Sequence, residues 1–187
     1  MTIAEEFSNW SKNLTVKNIP EKNKKTLEFL FKDTCGVILA ARNENYVQSL
    51  IKTYKDSGSF VCLGHGKNFD LFSSAIIAGT AAHGEDFDDT FEGNPIHVGA
   101  SMIPAMLSSA QKFNLNGDQI LKGLIVGSEL ICRLALVAPT AMHKQCFHPT
   151  AVCGTLGVAA GLSSVLDLTE KQMVSALGIA GSFASGI

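Results

Sequence analysis

A dense group of carboxylates near the middle of the chain is the feature best suited to chemistry. Five of the 17 acidic residues lie within residues 85–92, between His83 and His97. No lysine or arginine occurs between Lys67 and Lys112 to neutralise this group locally. Acidic side chains at the C-terminal end of a helix are disfavoured by the helix dipole, so capping alone does not account for them. The group is therefore either exposed to solvent or part of a functional site.

Three side chains in and beside this group have a spacing that suits proton transfer. If the preceding helix continues, His83, Asp86 and Thr90 share one face, because residues three and four apart lie on the same side of a helix. A carboxylate, a hydroxyl and an imidazole can together hold a substrate and move a proton. Burial and neighbouring carboxylates would raise the pKa of one aspartate, as a tuned base requires.

Other interpretations of the acidic segment place different demands on the sequence. A calcium-binding EF-hand loop beginning at Asp86 needs glycine at its sixth position and glutamate at its twelfth. Phe91 and His97 occupy those positions, which excludes this loop. A transition-metal site is chemically feasible, but the spacing matches no firm template, and we predict no metal. Its ligands would be His83, Asp86, Asp88 and His97. A solvated acidic loop with incidental histidines stays open as an alternative.

A second group of candidate residues lies in residues 143–150. His148 comes just before a predicted helix start, where free backbone N–H groups and the helix dipole attract anions. With Thr150 and Gly154 it forms a candidate carboxylate-binding corner. The alternative is that His148 caps the helix or packs against it. Cys153 could supply a nucleophile, but an uncharged cysteine in an apolar helix is more typical of an inert core residue.

Helical periodicity covers almost the whole chain. Apolar residues recur at spacings of three and four, and strand-like alternation of useful length is absent. Pro20 suits a helix start, and Asn116 and Thr169 each begin a capping-box pattern. The pattern predicts an all-α fold, a helical bundle in one domain. The predicted helices cover residues 21–42, 44–55, 69–85, 98–113, 117–137 and 149–166, with one more after Thr169 and an extended piece at residues 59–63.

The helix predicted at residues 149–166 raises the question of a membrane span. It carries no charge and approaches the length that would cross a bilayer. However, it contains Pro149 and several glycines, and it lacks flanking basic anchors and aromatic belts. We therefore predict a buried core helix and no membrane association. Glycine inside a helix costs about 1 kcal/mol relative to alanine. The many glycines after residue 150 are best explained if these helices approach each other closely.

Composition and charge exclude several classes of protein. With 46% hydrophobic residues and a net charge of −2, the chain is not of the disordered type. Its 15 basic and 17 acidic residues provide no basic field for binding nucleic acid. The first residues have neither a basic segment nor an apolar stretch, so no secretory signal is predicted. Five cysteines without a CxxC pattern are typical of free thiols, and we expect a cytoplasmic protein.

Several short motifs occur along the chain in a definite order. They are Asp33-Thr34-Cys35-Gly36, Ala82-His83, Asp86-Phe87-Asp88-Asp89-Thr90, His97, Pro104-Ala105, Gly127-Ser128-Glu129 with Arg133, Phe147-His148-Pro149-Thr150, Gly154-Thr155-Leu156-Gly157 and Ala176-Leu177-Gly178-Ile179-Ala180-Gly181-Ser182. Together they resemble the MmgE/PrpD family, and the ordered set is far more specific than any one motif. The resemblance covers essentially the whole chain.

The resemblance implies both a chemistry and a set of site residues. The family includes 2-methylcitrate dehydratase, cis-aconitate decarboxylase and epimerases of amino-dicarboxylates, which transfer protons at carbon without a redox cofactor. Its large domain is all-helical, with a separate α/β lid domain, usually in a homodimer. Asp86, His97 and His148 match residues of the family's site and are the expected catalytic residues. Thr90, which matches its hydroxyl, and His83 are expected to bind a small polycarboxylate.

The chain also departs from the family pattern. Family members are much longer, and their substrate-contacting lysine, a further catalytic histidine and the lid all come after the segment where this chain stops. Val98-Gly99 follows His97 where Pro-Ser is common, which puts the local loop geometry in question. Residues 182–187 remain apolar to the last position, where a natural terminus is usually polar. We therefore expect residues 1–187 to be the N-terminal portion of a longer helical domain.

This expectation leads to two hypotheses of different class. In the first, the chain is a truncated lyase- or isomerase-type protein, inactive alone because an anionic substrate needs cationic partners. In the second, it is a non-catalytic oligomerisation or assembly module, or one half of a split enzyme. Both predict a homo-oligomer or a complex with a C-terminal half.

Overall fold

Helices form nearly all of the regular structure. The structure is a computed structural model that describes residues 1–54 and 58–183. The helices are α1 (Ile3–Asn13), α2 (Glu21–Ala41), α3 (Asn45–Thr53), α4 (Leu71–His83), α5 (Val98–Phe113), α6 (Gly117–Val137), α7 (Ala141–Lys144), α8 (Pro149–Val165) and α9 (Glu170–Phe183), with a 3-10 turn at Val16–Asn18. Two short strands, β1 (Phe60–Val61) and β2 (Asn68–Phe69), pair antiparallel. The predicted all-α fold is confirmed.

Reciprocal side-chain caps begin two of the helices. The Asn116 side chain accepts the backbone N–H of Gln119 at 3.0 Å, and the Gln119 side chain accepts that of Asn116 at 2.9 Å. Thr169 and Gln172 make the same exchange before α9, at 3.3 and 2.9 Å. Each exchange satisfies backbone donors that a helix start leaves without intrahelical partners. Both predicted capping boxes are confirmed.

Helix α1 is missing from the sequence prediction, although the sequence carries its signal. Thr2 and Glu5 form a third capping box. Phe7 and Leu14 then pack against a core cluster that contains Leu130 of α6 and residues of α8 and α9. The pattern of a threonine followed three residues later by a glutamate predicts a helix start by the same rule used for Asn116.

Two predicted helices end earlier than expected. Helix α4 ends at His83, because Gly84 is its C-terminal cap and Asp86 has a φ of 52°, in the left-handed region. Helix α3 ends at Thr53. Residues 55–57, which include the predicted end of that helix, lie outside the described residues, and so do residues 184–187 of the predicted apolar C-terminal pattern.

Helices α6 and α8 touch through their backbones. A Cβ atom built on Gly127 would lie 2.8 Å from the carbonyl oxygen of Gly157, and one on Gly161 would lie 2.7 Å from that of Gly123. Real Cβ atoms do not approach backbone this closely, so glycine is required on both sides of the contact. The predicted close approach is confirmed for the glycines of α8, with α6 as the partner, whereas Gly178 and Gly181 of α9 have open space around them.

Helix α4 is the buried element that leads to the site. It packs against α2 and α5, and its fully buried Ile77 and Ala81 share a core cluster with Ile38 of α2 and Val47 of α3. Helix α8 is a core helix too, packed against α5, α6 and α9, as predicted for residues 149–166. None of the helices in the described ranges combines the length and the apolar character that crossing a bilayer requires.

Candidate active site

The loop between α4 and α5, residues 84–97, carries most of the predicted site residues. Because α4 ends at His83, the expected helical face shared by His83, Asp86 and Thr90 does not form, and that interpretation was wrong. The left-handed backbone at Asp86 turns the chain away from the helix axis. The loop is anchored on α6, where the Asn94 side chain donates to the carbonyl oxygen of Ala135 at 2.8 Å.

The fold brings three side chains of this region into one hydrogen-bonded chain. Nδ1 of His83 lies 2.9 Å from Oδ2 of Asp88, whose side chain is fully buried. Nε2 of His83 lies 3.0 Å from Nε2 of His148, which comes from the start of α8. The two ring centroids are 5.1 Å apart and the ring planes are inclined by 30°, so the rings meet edge to edge. His83 therefore connects the buried carboxylate to an imidazole at the surface.

His97 lies against the same cluster and is held from three directions. Its Nδ1 is 2.9 Å from the carbonyl oxygen of Asp89, and its backbone N–H donates to the Thr150 hydroxyl at 3.1 Å. Its ring centroid is 4.9 Å from that of His83. Nδ1 of His97 also lies 3.3 Å from Oδ1 of Asp88. Both oxygens only accept hydrogen bonds, so Nδ1 of His97 is the donor, and it bonds the nearer oxygen, the carbonyl of Asp89.

The remaining two predicted residues lie at the solvent side of the cluster. The Asp86 side chain is 85% exposed, and its Oδ1 is 3.8 Å from Nε2 of His97. Thr90 is exposed and directly follows the residue whose carbonyl oxygen accepts the His97 proton. The structure thus gathers His83, His97 and His148 and places Asp86 and Thr90 beside them. The catalytic and substrate-binding roles of these residues remain predictions.

Two aspartates support the cluster, of which sequence reasoning named Asp88 only as a candidate metal ligand and did not select Asp89. Asp88 faces His83, as described above, and Asp89 caps α5 from outside that helix. The Asp89 carboxylate accepts the backbone N–H of Val98 at 3.1 Å and that of Gly99 at 2.8 Å. Burial raises the pKa of Asp89, although these two hydrogen bonds act in the opposite direction. The expected carboxyl group of raised pKa is therefore Asp89. The only signal for burial in the sequence was the absence of nearby lysine and arginine.

The solvated-loop interpretation holds for part of the acidic segment only. Glu85, Asp86 and Glu92 are exposed, whereas Asp88 is buried. Glu85 accepts a hydrogen bond from the Tyr46 hydroxyl at 2.8 Å. The segment therefore has an outer acidic side and one carboxylate turned into the histidine cluster.

The alternatives weighed for the start of α8 can now be decided. His148 precedes Pro149, the first helical residue, but its side chain makes no capping hydrogen bond. His148 therefore occupies the N-cap position, and its side chain contacts His83 rather than capping the helix. Burial first, and then the neighbouring His83 and His97, lower the pKa of His148, which favours its neutral form. Burial raises the pKa of Cys153 to about 11, so this thiol stays protonated at neutral pH and suits a core residue.

One group of side chains in the described ranges has the proximity that a metal site needs. Atoms of His83, Asp88 and His97 lie within 4.8 Å of one another, whereas Asp86 is outside this group. A ligating nitrogen must be unprotonated. Nδ1 of both histidines, however, faces an oxygen acceptor. A cation bound through these two Nδ1 atoms would have to break both hydrogen bonds, so imidazole–carboxylate pairing competes with metal ligation through Nδ1.

The arrangement is suited to accepting and donating protons beside an anion. Neutral imidazoles can take a proton from a substrate, and their protonated forms can bind carboxylate groups. Asp88 can stabilise positive charge on His83 from the buried side of the cluster. Among the described residues, no lysine or arginine forms an ion pair with Asp86, Asp88 or Asp89.

Comparison with known proteins gives a consistent assignment. The family model described as the MmgE/PrpD N-terminal domain matches residues 5–187. A cis-aconitate decarboxylase of Aspergillus terreus is 24% identical over 195 residues, covering 99% of this chain and 40% of the relative. The mouse enzyme of that name is 28% identical over 193 residues, covering 98% of this chain and 39% of the relative. Its human counterpart is 36% identical over 117 residues, covering 59% and 24%.

These alignments define how much of the relatives the chain represents. It spans about two fifths of the length of the fungal and mouse proteins. The family model covers nearly the whole chain, with the acidic loop and the start of α8 inside the matched region. The chain therefore belongs to the MmgE/PrpD family and corresponds to the N-terminal domain of that family.

Proposed function

We propose that this chain carries the histidine half of an active site for cofactor-independent chemistry on small di- or tricarboxylates. The reaction class is dehydration, decarboxylation or epimerisation, with cis-aconitate and 2-methylcitrate as representative substrates. The observation that supports this most directly is the contact between His83 and His148, with Asp88 behind it. The names of the relatives, cis-aconitate decarboxylases, point to the same class of substrate.

Each reaction of this class moves a proton at a carbon next to a carboxylate. In dehydration a C–H bond breaks, and its electron pair expels hydroxide from the neighbouring carbon. In decarboxylation a C–C bond breaks, CO₂ leaves, and a carbon of the resulting carbanion takes a proton from an acid. His148 is placed to be the base or acid, because its pKa is lowered towards the neutral form and its side chain reaches the surface. His97 and Asp86 complete the proposed catalytic set.

The remaining residues are assigned to substrate binding. Thr90 is an exposed hydroxyl beside the cluster, and His83 can carry positive charge opposite Asp88. A polycarboxylate carries two or three negative charges, His148 with its lowered pKa offers little positive charge against them, and the nearby carboxylates add repulsion. We therefore propose that the chain alone is inactive and requires cationic groups from another part of the protein or from a partner.

The proposal is tested with the purified 187-residue chain and a non-reactive probe, propane-1,2,3-tricarboxylate. Histidine side-chain NMR signals are recorded during titration with the probe. We expect shifts at His83, His97 and His148 but not at His65, and no such shifts with acetate. In the same preparation, cis-aconitate and 2-methylcitrate are followed by proton NMR, and we expect no turnover.

Two results of that experiment would contradict the proposal. Equal shifts at His65 and at the cluster would show that the probe binds without selectivity. Turnover by the chain alone that disappears in Asp86→Asn or His148→Ala would support the site but overturn the claim of inactivity.

The second candidate function, an assembly module, is favoured by exposed apolar side chains. Phe72, Phe87 and Val137 are largely exposed, and Phe87 is 81% exposed. Large exposed apolar groups are typical of interaction surfaces when they are contiguous. On this hypothesis the chain is a homo-oligomer or binds a separately encoded C-terminal half. Size-exclusion chromatography with light scattering is the test, and a monodisperse monomer at high concentration would count against it.

We also propose a cytoplasmic location and a small polycarboxylate as the partner, with no nucleic acid, membrane or cofactor involved. All five cysteines are free, which suits a reducing compartment. Fluorescent tagging of the complete protein in its own cells would test the location, and a membrane or secreted signal would contradict it.

A further inference from the structure

Asp88 is a buried carboxylate that faces imidazole nitrogens on two sides. Its Oδ2 is 2.9 Å from Nδ1 of His83, and its Oδ1 is 3.3 Å from Nδ1 of His97. Oδ1 makes no hydrogen bond with the described residues, because the His97 proton is directed to the carbonyl oxygen of Asp89. The Oδ2 contact with His83 is therefore the hydrogen bond that compensates the burial of Asp88.

This single contact determines where the protons of two imidazoles lie. An ionised carboxylate only accepts hydrogen bonds, so Nδ1 of His83 is the donor. Neutral imidazole has one N–H group, which leaves Nε2 of His83 as an acceptor. Nε2 of His148, 3.0 Å away, must then be the donor of the second bond. Nδ1 of His148 is left as the unprotonated nitrogen of the chain.

We propose that Asp88 is a positioning residue of this site, which holds His83 in its Nδ1-protonated tautomer and thereby orients His148 as the proton-accepting group. The assignment of His148 as the group that meets substrate rests on the function proposed above. The tautomers of His83 and His148 do not depend on it, because for neutral rings they follow from the hydrogen bonds.

The burial of Asp88, His83 and His148 supports an order that runs from a buried carboxylate to a surface imidazole. The Asp88 side chain is fully buried, that of His83 is one-third exposed, and His148 is classed as exposed. When a substrate C–H bond breaks, its electron pair stays on carbon and its proton binds Nδ1 of His148. The resulting imidazolium keeps its Nε2–H bonded to His83, whose other nitrogen faces the buried anion. A carboxylate behind an imidazole stabilises the charge that forms and fixes the tautomer in other proton-transfer sites.

The test is a nitrogen-15 NMR measurement of histidine tautomers on the purified 187-residue chain at about pH 8, without substrate. Protonated and unprotonated ring nitrogens have well-separated shifts, so each histidine reports its own tautomer. Single His→Gln variants assign the signals. The Asp88→Ala variant removes the acceptor, and Asp118→Ala removes an exposed carboxylate from the first turn of α6 as a matched control.

We expect His83 to be Nδ1-protonated and His148 to be Nε2-protonated in the unaltered chain. In Asp88→Ala most of the His83 population should move to the Nε2-protonated form, which free imidazole side chains prefer, while Asp118→Ala leaves the spectrum unchanged. A proton on Nε2 of His83 in the unaltered chain would overturn the proposal, even if Asp88→Ala did not fold. An unchanged His83 tautomer in a folded Asp88→Ala variant would overturn it as well.

The outcome is independent of whether the proposed function is right. A failed search for turnover or for tricarboxylate binding would leave the tautomer result intact. Conversely, a wrong tautomer would remove the positioning role of Asp88 without affecting evidence for substrate binding at Thr90 or for a catalytic role of Asp86.

Discussion

The Nε2 atoms of His83 and His148 lie 3.0 Å apart, although 65 positions separate the two residues in sequence. His83 is the last residue of α4, and His148 immediately precedes α8. The contact joins the C-terminal end of one buried helix to the N-terminal end of another. Replacing either imidazole should therefore change the interactions of the other.

This pair should show energetic coupling in a double-mutant cycle. We expect His83→Ala and His148→Ala to change the free energy of unfolding non-additively, by about 0.5–1.5 kcal/mol, because each removes the same hydrogen bond. Urea denaturation of the two single variants and the double variant gives the coupling. The control cycle pairs His83→Ala with His143→Ala, an exposed residue of α7. Additive effects within error in the first cycle would mean that the two rings are only neighbours.

Stability should fall as the pH drops below neutral. The pKa of His148 is lowered in the folded chain, so between the folded and unfolded pKa values the unfolded chain binds more protons. The stability associated with the neutral imidazole is therefore present above about pH 6.5, the ordinary pKa of histidine, and decreases below it. His65, whose pKa is lowered by burial and by Arg42, contributes in the same direction.

Urea unfolding at pH 7.5 and pH 5.5 measures this effect. The difference should be smaller in His148→Gln than in the unaltered chain, because the variant cannot take up the proton. The exposed His143→Gln variant serves as the control and should retain most of the pH dependence. A His148→Gln variant with the full dependence would show that other groups are responsible.

Replacing Asp89 should destabilise the start of α5. Asp89→Ala leaves the backbone N–H groups of Val98 and Gly99 without their partner in a buried setting, which costs about 1–3 kcal/mol. Asp89→Asn should cost less, because its amide oxygen can still accept one of the two bonds. Chemical denaturation with Asp118→Ala as reference, where only a few tenths of a kcal/mol are expected, provides the measurement. Equal stability of Asp89→Ala and the reference would contradict this capping role.

The sequence predicted the helices well because their boundaries depend on local interactions. Pro20, Asn116 and Thr169 determine helix starts through groups within a few residues, and such signals can be read without the rest of the fold. Helix α1 carries the same kind of signal in Thr2, so its start could have been predicted by the same rule. The end of α4 was harder, since its prediction depended on whether Gly84 stops the helix.

The site was predicted less completely, because it depends on where the chain goes after α4. Among the clustered carboxylates, Asp88 turns inward and Asp86 turns outward, and no local property separates them. His148 was identified by its place before a helix start, and both His97 and His148 by resemblance to family motifs. Their contacts with Asp89 and His83 come from the tertiary fold. The candidate site residues could thus be predicted from the sequence, but the contacts between them could not.

Alanine at two glycine positions should have opposite effects on stability. One position lies in the contact between α6 and α8, and the other lies in α9. Gly127→Ala should destabilise the chain by about 1–3 kcal/mol, because the added methyl group would meet Met102 and the Gly157 backbone. Gly178→Ala should stabilise it by about 0.5–1 kcal/mol, since it lies in α9 with open space around it. Thermal or urea unfolding of both variants tests the pair. If Gly127→Ala were as stable as Gly178→Ala, the two helices would have to be further apart than described.

The same glycine contact determines the position of α8 relative to the site. Sliding α8 along α6 by one turn, about 5.4 Å, would bring a side chain such as Cys153 or Val165 against backbone that tolerates only glycine. The position of α8 along α6 is therefore determined by a contact far from the loop. This contact also determines where His148, at the N-terminal end of α8, meets His83. Among the described residues, a change in the distance between His148 and the loop would then have to come from residues 84–97, since α8 cannot move along α6 by a turn without a clash.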